Sequence, residues 1–142
     1  MSKSCCCSSK QRMILACSGG SNVGQAANQA AVELTREGFG KMYCLAGIGG
    51  GLQGFVQSAR DVEEMIVLDG CPVGCAKAIL TREGVTPGRY VVATDLGIEK
   101  VKDPRLTVLD EDVRRIKEAA RASAGGLAAG GAPTSCGCAD KA

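Results

Sequence analysis

Two thiols stand four residues apart in LDGCPVGCAKAIL, residues 68–80, and they are the first feature of this chain with evident chemistry. On a helix, residues i and i+4 share a face with Cβ atoms about 5–6 Å apart. Zinc–sulfur bonds of about 2.3 Å would then bring Cys71 and Cys75 onto one ion. Pro72 suits a first helical position, where its missing N–H costs nothing, and Gly70 and Gly74 let the backbone approach a ligand closely. The usual zinc knuckle separates its thiols by two residues rather than three, so this pair needs further ligands to make a site. The chain contains nine cysteines and no histidine. A soft-metal site must therefore be built from thiolates, and the commonest general base is missing.

The elements that would position these thiols can be read from the hydrophobic pattern. RMILAC, KMYCLAG, EMIVLDG and RYVVATD are short apolar runs without alternation, as strands covered on both faces require. Helical periods lie between them. Asn22 to Glu37 repeats Val23, Ala27, Ala30, Ala31 and Leu34 on one face, with Gly38 as a stop. Gly51 to Arg60 is a weaker, glycine-diluted helix. Cys71 to Arg82 reads as a helix ending before Gly84, and Asp110 to Ala122 as one with Asp110 at its cap and acidic residues in its first turn. Strand and helix in alternation predict a small three-layer α/β domain over residues 11–123. Its mainly parallel sheet has about four strands, joined by right-handed crossovers with helices on both faces. Residues 1–10, with three cysteines, and 124–142, rich in Gly and Ala, read as flexible tails.

Composition narrows the function classes. The chain has 142 residues, 45% of them hydrophobic, enough for one core. Seventeen basic against fifteen acidic residues are scattered rather than striped, and aromatics are 3% with no Trp, which excludes a nucleic-acid role on these grounds. No apolar run reaches the roughly eighteen residues of a membrane span, and MSKSCCCSSK lacks the apolar stretch of a secretory signal. The expected location is the cytoplasm, with no membrane partner. Thiols there stay reduced, so the cysteines read as metal-binding or reactive rather than as a disulfide scaffold.

On this scheme Cys17 closes the first strand, Cys44 lies late in the second, Cys71 follows the third, and Cys75 sits in the next helical turn. Ligands of open parallel sheets bind beyond the carboxyl ends of the strands, and all four thiols fall at that edge. Four thiolates on a divalent ion leave a formal charge of minus two, which needs nearby donors. Helix N-termini after the first and third strands, the glycine-rich CSGGSNVG and GIGGGLQG, and Lys77 are the candidates.

LDGCPVGCAKAIL, the upstream CSGGSNVGQAANQAAVEL and the segment containing Cys44 together resemble the DGC-domain family. The family is described as zinc-binding and named for a motif that stands here as Asp69-Gly70-Cys71. The resemblance runs from about Lys10 to Asp112. It implies a small metal-binding domain with four characteristic cysteines, carried here onto Cys17, Cys44, Cys71 and Cys75. It implies no particular reaction.

Three functions remain open. The first is a zinc protein whose closed thiolate site is structural or regulatory, with a four-thiolate iron–sulfur cluster as a variant whose familiar ligand runs are not matched. The second is a thiol-dependent redox or sulfur-transfer enzyme in which Cys71 attacks and Cys75 or Cys44 resolves the adduct. Phosphoryl chemistry is disfavoured because position 77 is Lys and position 23 Val where the cysteine-dependent phosphatase pattern needs Arg. The third is a carrier of a soft metal or metalloid that also uses Cys5, Cys6, Cys7, Cys136 and Cys138 in the tails. CSGGSNVG lacks the Gly-Lys-Ser/Thr ending of a nucleotide loop. Asp69 is expected to cap the helix behind it, and Asp95 faces the same edge. Nothing in the sequence names a protein partner or separates a monomer from a homodimer.

Overall fold

The computed structural model describes residues 10–122; the cysteines of both tails lie outside the described residues. The strands β1 (Arg12–Ala16), β2 (Lys41–Met42), β3 (Glu64–Asp69) and β4 (Arg89–Val92) form one parallel sheet in the order β2-β1-β3-β4. The helices are α1 (Asn22–Arg36), α2 (Leu45–Gly49), α3 (Gln53–Asp61), α4 (Cys75–Arg82) and α5 (Asp110–Ala122). Strand side chains alternate between two cores, as the period of two demands. Ile14, Ala16, Ile66 and Leu68 meet α1 and α5 on one face, while Met13, Leu15, Met65 and Val67 meet α2, α3 and α4 on the other. The small three-layer α/β domain read from the pattern is the fold observed. Among the described residues no helix is long and apolar enough to cross a membrane.

Two elements depart from the sequence reading. KMYCLAG gives only Lys41–Met42 as strand, and Cys44 becomes the cap of the short helix α2. Leu45 and Ile48, three apart, are both buried against the core of Met13, Leu15, Met65 and Val67, and a short apolar run cannot be assigned to strand or helix by period alone. The helix after β3 begins at Cys75, not Cys71. Residues 71–74 form a turn closed by the Gly74 N–H on the Cys71 carbonyl at 3.1 Å, with Gly74 at φ +65°. Pro72 therefore sits in a turn, and Cys71 and Cys75 flank it rather than sharing a helix face.

The reason lies one residue upstream. Asp69, 1% exposed, ends β3 and reaches across the turn, its Oδ1 accepting from the Ala76 N–H at 2.9 Å and its Oδ2 from the Lys77 N–H at 3.1 Å. These are two of the N–H groups that a helix leaves unpaired in its first turn, so the carboxylate fixes where α4 starts.

Candidate metal centre

The first thiol is placed by the register of β1 on β3. Cys17 follows β1 directly, and its own N–H continues the ladder to the Leu68 carbonyl at 3.0 Å. Its Sγ accepts from the Gly70 N–H at 3.4 Å. The loop beyond it turns through Ser18 in the left-handed region at φ 48°. Side chains hold that turn: the Ser18 hydroxyl donates to Asn28 Oδ1 at 2.7 Å, and the Gln25 amide donates to the Gly19 carbonyl at 3.0 Å. Ser21 then caps α1, accepting from the Gly24 N–H at 3.1 Å.

The loop, α1 and β3 touch backbone to backbone, which requires glycine. A Cβ on Gly70 would stand 2.6 Å from the Gly24 nitrogen, and one on Gly24 2.7 Å from the Gly19 oxygen. This close approach brings Cys17 beside the 71–75 turn. Cys17, Cys71 and Cys75 line a single cavity of about 150 Å³, floored by Gly19, Gly24 and Gly70 and edged by Lys100. Cys17 and Cys71 are half-buried and Cys75 is exposed.

Cys44 does not share that cavity. It is exposed and lines a separate space of about 280 Å³ with Met42, Tyr43, Gly54, Phe55 and Ser58. The two linings have no residue in common. GIGGGLQG is likewise absent from the lining of the thiol cavity, whereas CSGGSNVG contributes Gly19, Gly20, Ser21 and Gly24. Lys77 stays outside too: its Nζ lies 5.2 Å from the centroid of the Tyr90 ring. Asp95 lies in a 3₁₀ turn, Ala93–Leu96, beyond β4 and lines a different depression beside Lys77.

Two further residues, with no signal in the residue pattern, complete the surroundings. Tyr90 on β4 donates its hydroxyl to Asp69 Oδ2 at 2.7 Å. Burial, followed by the bond to Asp69, pushes the Tyr90 hydroxyl above the ordinary tyrosine value. Lys100 donates to Cys71 Sγ at 3.5 Å. Its backbone is gripped on both sides by Asn22, whose Nδ2 donates to the Glu99 carbonyl at 2.8 Å and whose Oδ1 accepts from the Val101 N–H at 2.9 Å.

The potential at Cys17 is the clearest electrostatic signature. Burial raises its pKa above that of a free thiol, the Gly19 and Gly70 N–H groups pull it back, and the nearby Asp69 carboxylate raises it again. A thiol held in its neutral form chiefly by burial becomes a thiolate when a cation binds it.

The donor set fits a soft cation in type. Three thiols face one space, and Asp69, its oxygens already taken by three donors, does not compete as a hard ligand. The set is not preassembled: among the described residues no group of three or more ligand side chains stands close enough to hold a metal ion as the rotamers lie.

The model of the DGC domain matches residues 13–120. The chain belongs to the DGC-domain family. A relative from Pseudomonas aeruginosa, the "Anaerobic and virulence modulator AnvM", is 40% identical over 88 residues, covering 62% of this chain and 67% of the relative. No solved structure matches the chain.

Proposed function

We propose that this DGC domain is a thiol-based binding module that takes a soft cation, zinc first, and serves in regulation or sensing rather than catalysis. The observation that carries the reading is the convergence of Cys17, Cys71 and Cys75, from two strand ends and a helix start, on one small cavity. The Gly70 N–H on Cys17 Sγ and the Lys100 ammonium on Cys71 Sγ supply the donors that a thiolate cluster needs to offset its charge. A regulatory role agrees with the relative's name, which calls it a modulator.

In this reading Cys17, Cys71 and Cys75 would hold the ion between the β1–α1 loop and the 71–75 turn, and the ion would supply the positive charge that favours their thiolate forms. Gly70 and Lys100 hold the sulfurs, and Asp69 with Tyr90 keeps the turn in place. Cys44, one strand away, is the candidate for a fourth ligand.

Metal analysis of protein purified anaerobically tests the reading. Close to one equivalent of zinc is expected, lost in Cys17→Ser, Cys71→Ser and Cys75→Ser. A metal content near zero in the folded wild-type protein, with no uptake from added zinc, would refute it. The contact between Lys100 and Cys71 favours one second reading, a thiol enzyme using Cys71 as nucleophile. That reading requires metal-free protein to form a mixed disulfide at Cys71 ahead of Cys75 when offered a small disulfide.

A further inference from the structure

We propose that Cys71 and Cys75 are a redox couple: a small hydroperoxide oxidises Cys71, and Cys75 converts the product into a disulfide across the 71–75 turn. The couple acts once per molecule and needs no bound cation, so it stands apart from the metal-binding reading.

Three observations lead to it. First, the turn brings these two thiols together. The Gly74 N–H on the Cys71 carbonyl at 3.1 Å closes a turn of the kind whose end Cα atoms lie within about 7 Å, and Cys75 is the next residue. Disulfides span Cα separations of about 4.4–6.8 Å, a reach of the same order. Asp69 accepts from the Ala76 and Lys77 N–H groups, so the far side of the turn is fastened to the end of β3.

Second, the three thiols of the cavity are not equivalent. Cys17 is tied to the sheet, its N–H on the Leu68 carbonyl and its Sγ accepting from the Gly70 N–H at 3.4 Å. Cys71 is half-buried, with the Lys100 ammonium on its Sγ at 3.5 Å, and Cys75 is exposed. The sulfur beside the cation is the one to attack, and the exposed one is free to swing onto it.

Third, the placement of Lys100 is built rather than casual. It is the one basic side chain in the lining of the thiol cavity. Asn22, 9% exposed, uses both ends of its amide on the peptide groups flanking residue 100, and Ile98, 4% exposed, anchors the same strap in the core. An exposed lysine on a free loop would lose side-chain and backbone entropy by staying over Cys71; this strap has removed the backbone part.

The chemistry balances without any other group. The Cys71 sulfur attacks the outer oxygen of the hydroperoxide; an S–O bond forms, the O–O bond breaks, and two electrons pass from sulfur to peroxide. The leaving oxygen departs as an alcohol or water with the thiol's proton, and Lys100 offsets the negative charge that develops along the way. Cys71 is then a sulfenic acid, which condenses with a thiol. The Cys75 sulfur attacks it, the S–S bond forms, the S–O bond breaks, and water leaves with the Cys75 proton. Size names the oxidant class. About 150 Å³ is several times the roughly 30 Å³ that one water occupies in the liquid, so the cavity admits a hydroperoxide of a few heavy atoms and excludes a peptide disulfide.

Peptide mass spectrometry of the full chain tests the couple. Reduced protein, freed of reductant and held in chelator, is treated with an equivalent amount of hydrogen peroxide, blocked with N-ethylmaleimide and digested with trypsin. Cys71 and Cys75 share the tryptic peptide 61–77, while Cys17 and Cys44 fall in peptides 13–36 and 42–60. Peptide 61–77 should become unlabelled and lighter by a pair of hydrogens before the peptides of Cys17 and Cys44 change. In Cys75→Ser, dimedone should mark Cys71 as a sulfenic acid; in Cys71→Ser it should leave Cys75 unmarked. Lys100→Gln should slow the oxidation about tenfold and Lys100→Arg restore it, as loss of one charge-assisted contact implies. A first disulfide joining Cys71 to any cysteine but Cys75, dimedone on Cys75 in place of Cys71, or equal rates in wild type and Lys100→Gln overturns the proposal. Zinc content of the reduced protein is a separate measurement. Metal-free protein that forms this disulfide refutes the cation site and leaves the couple standing; zinc-binding protein whose peptide 61–77 stays labelled does the reverse.

Discussion

Replacing Asp69 by Asn tests whether one buried carboxylate holds the 71–75 turn and the start of α4. The change is nearly isosteric, so packing is kept and hydrogen bonding alone is altered. The carboxylate accepts from the Ala76 and Lys77 N–H groups and from the Tyr90 hydroxyl. Asn retains one acceptor oxygen. If that oxygen serves Ala76, the amide NH2 faces the Lys77 N–H, donor against donor, and the Tyr90 hydroxyl must rotate to accept. One charge-assisted bond becomes neutral and one buried donor loses its partner, for a combined loss of about 3 kcal/mol. With a urea m-value of about 1.5 kcal/mol per molar, the midpoint should fall by about 2 M at unchanged m. Chelator must be present throughout, since bound metal would add its own stabilisation. Tyr90→Phe removes a single bond and should cost about 1–2 kcal/mol, and the double variant should lose less than the sum because the two residues share one network. A midpoint shift below about 0.3 M in Asp69→Asn would refute the reasoning and return the turn to its glycines and proline.

Other outcomes follow from the same contacts. The Tyr90 hydroxyl keeps its proton in the folded state beyond the ordinary value of 10, so its contribution to stability is complete below about pH 10 and declines above it; Tyr90→Phe should flatten that alkaline decline in urea melts across pH. Lys117, bonded to Glu33 at 2.9 Å and to Glu37, and Arg121, bonded to Glu37 at 2.5 Å, lower both carboxyls below 4.5. Their contribution is present above that pH and lost as the pH falls below it, so Lys117→Met should reduce the acid-side loss of stability, more clearly at low salt. Gly70→Ala puts a methyl 2.6 Å from the Gly24 backbone nitrogen and should lower the melting temperature by about 10 °C or more by circular dichroism. In metal-free protein at pH 7.5, iodoacetamide should modify the exposed Cys44 well before Cys17, whose thiol is half-buried and held protonated; peptide mass spectrometry reads the order.

The architecture was legible in the hydrophobic pattern. Unbroken apolar runs such as MILA and MIVL, rich in Ile, Val and Leu and bounded by polar residues, read as strands covered twice, and the helical period of Val23, Ala27, Ala30, Ala31 and Leu34 supplied a cover that the structure buries completely. It also brought Cys17, Cys71 and Cys75 to one sheet edge, because strand ends in a parallel sheet line up whatever the loops do. Asp69 was legible as a cap for the same local reason.

The remaining features depend on contacts between distant segments. That α4 starts at Cys75 depends on a buried carboxylate reaching over the turn, and a local pattern cannot weigh a contact made across seven residues. That Cys44 faces its own cavity depends on Leu45 and Ile48 folding as helix against the core of Met13, Leu15, Met65 and Val67, a choice between two periods that a run as short as KMYCLAG leaves undetermined. Lys100 and Tyr90 carry no spacing signal at all. Lys100 reaches Cys71 because Asn22, 77 residues from its partner Glu99 in the chain, pins the strap, and Tyr90 meets Asp69 because β4 pairs with β3 in one register. Periodicity reports which face a residue buries; it holds no information on which distant segment comes to lie against that face.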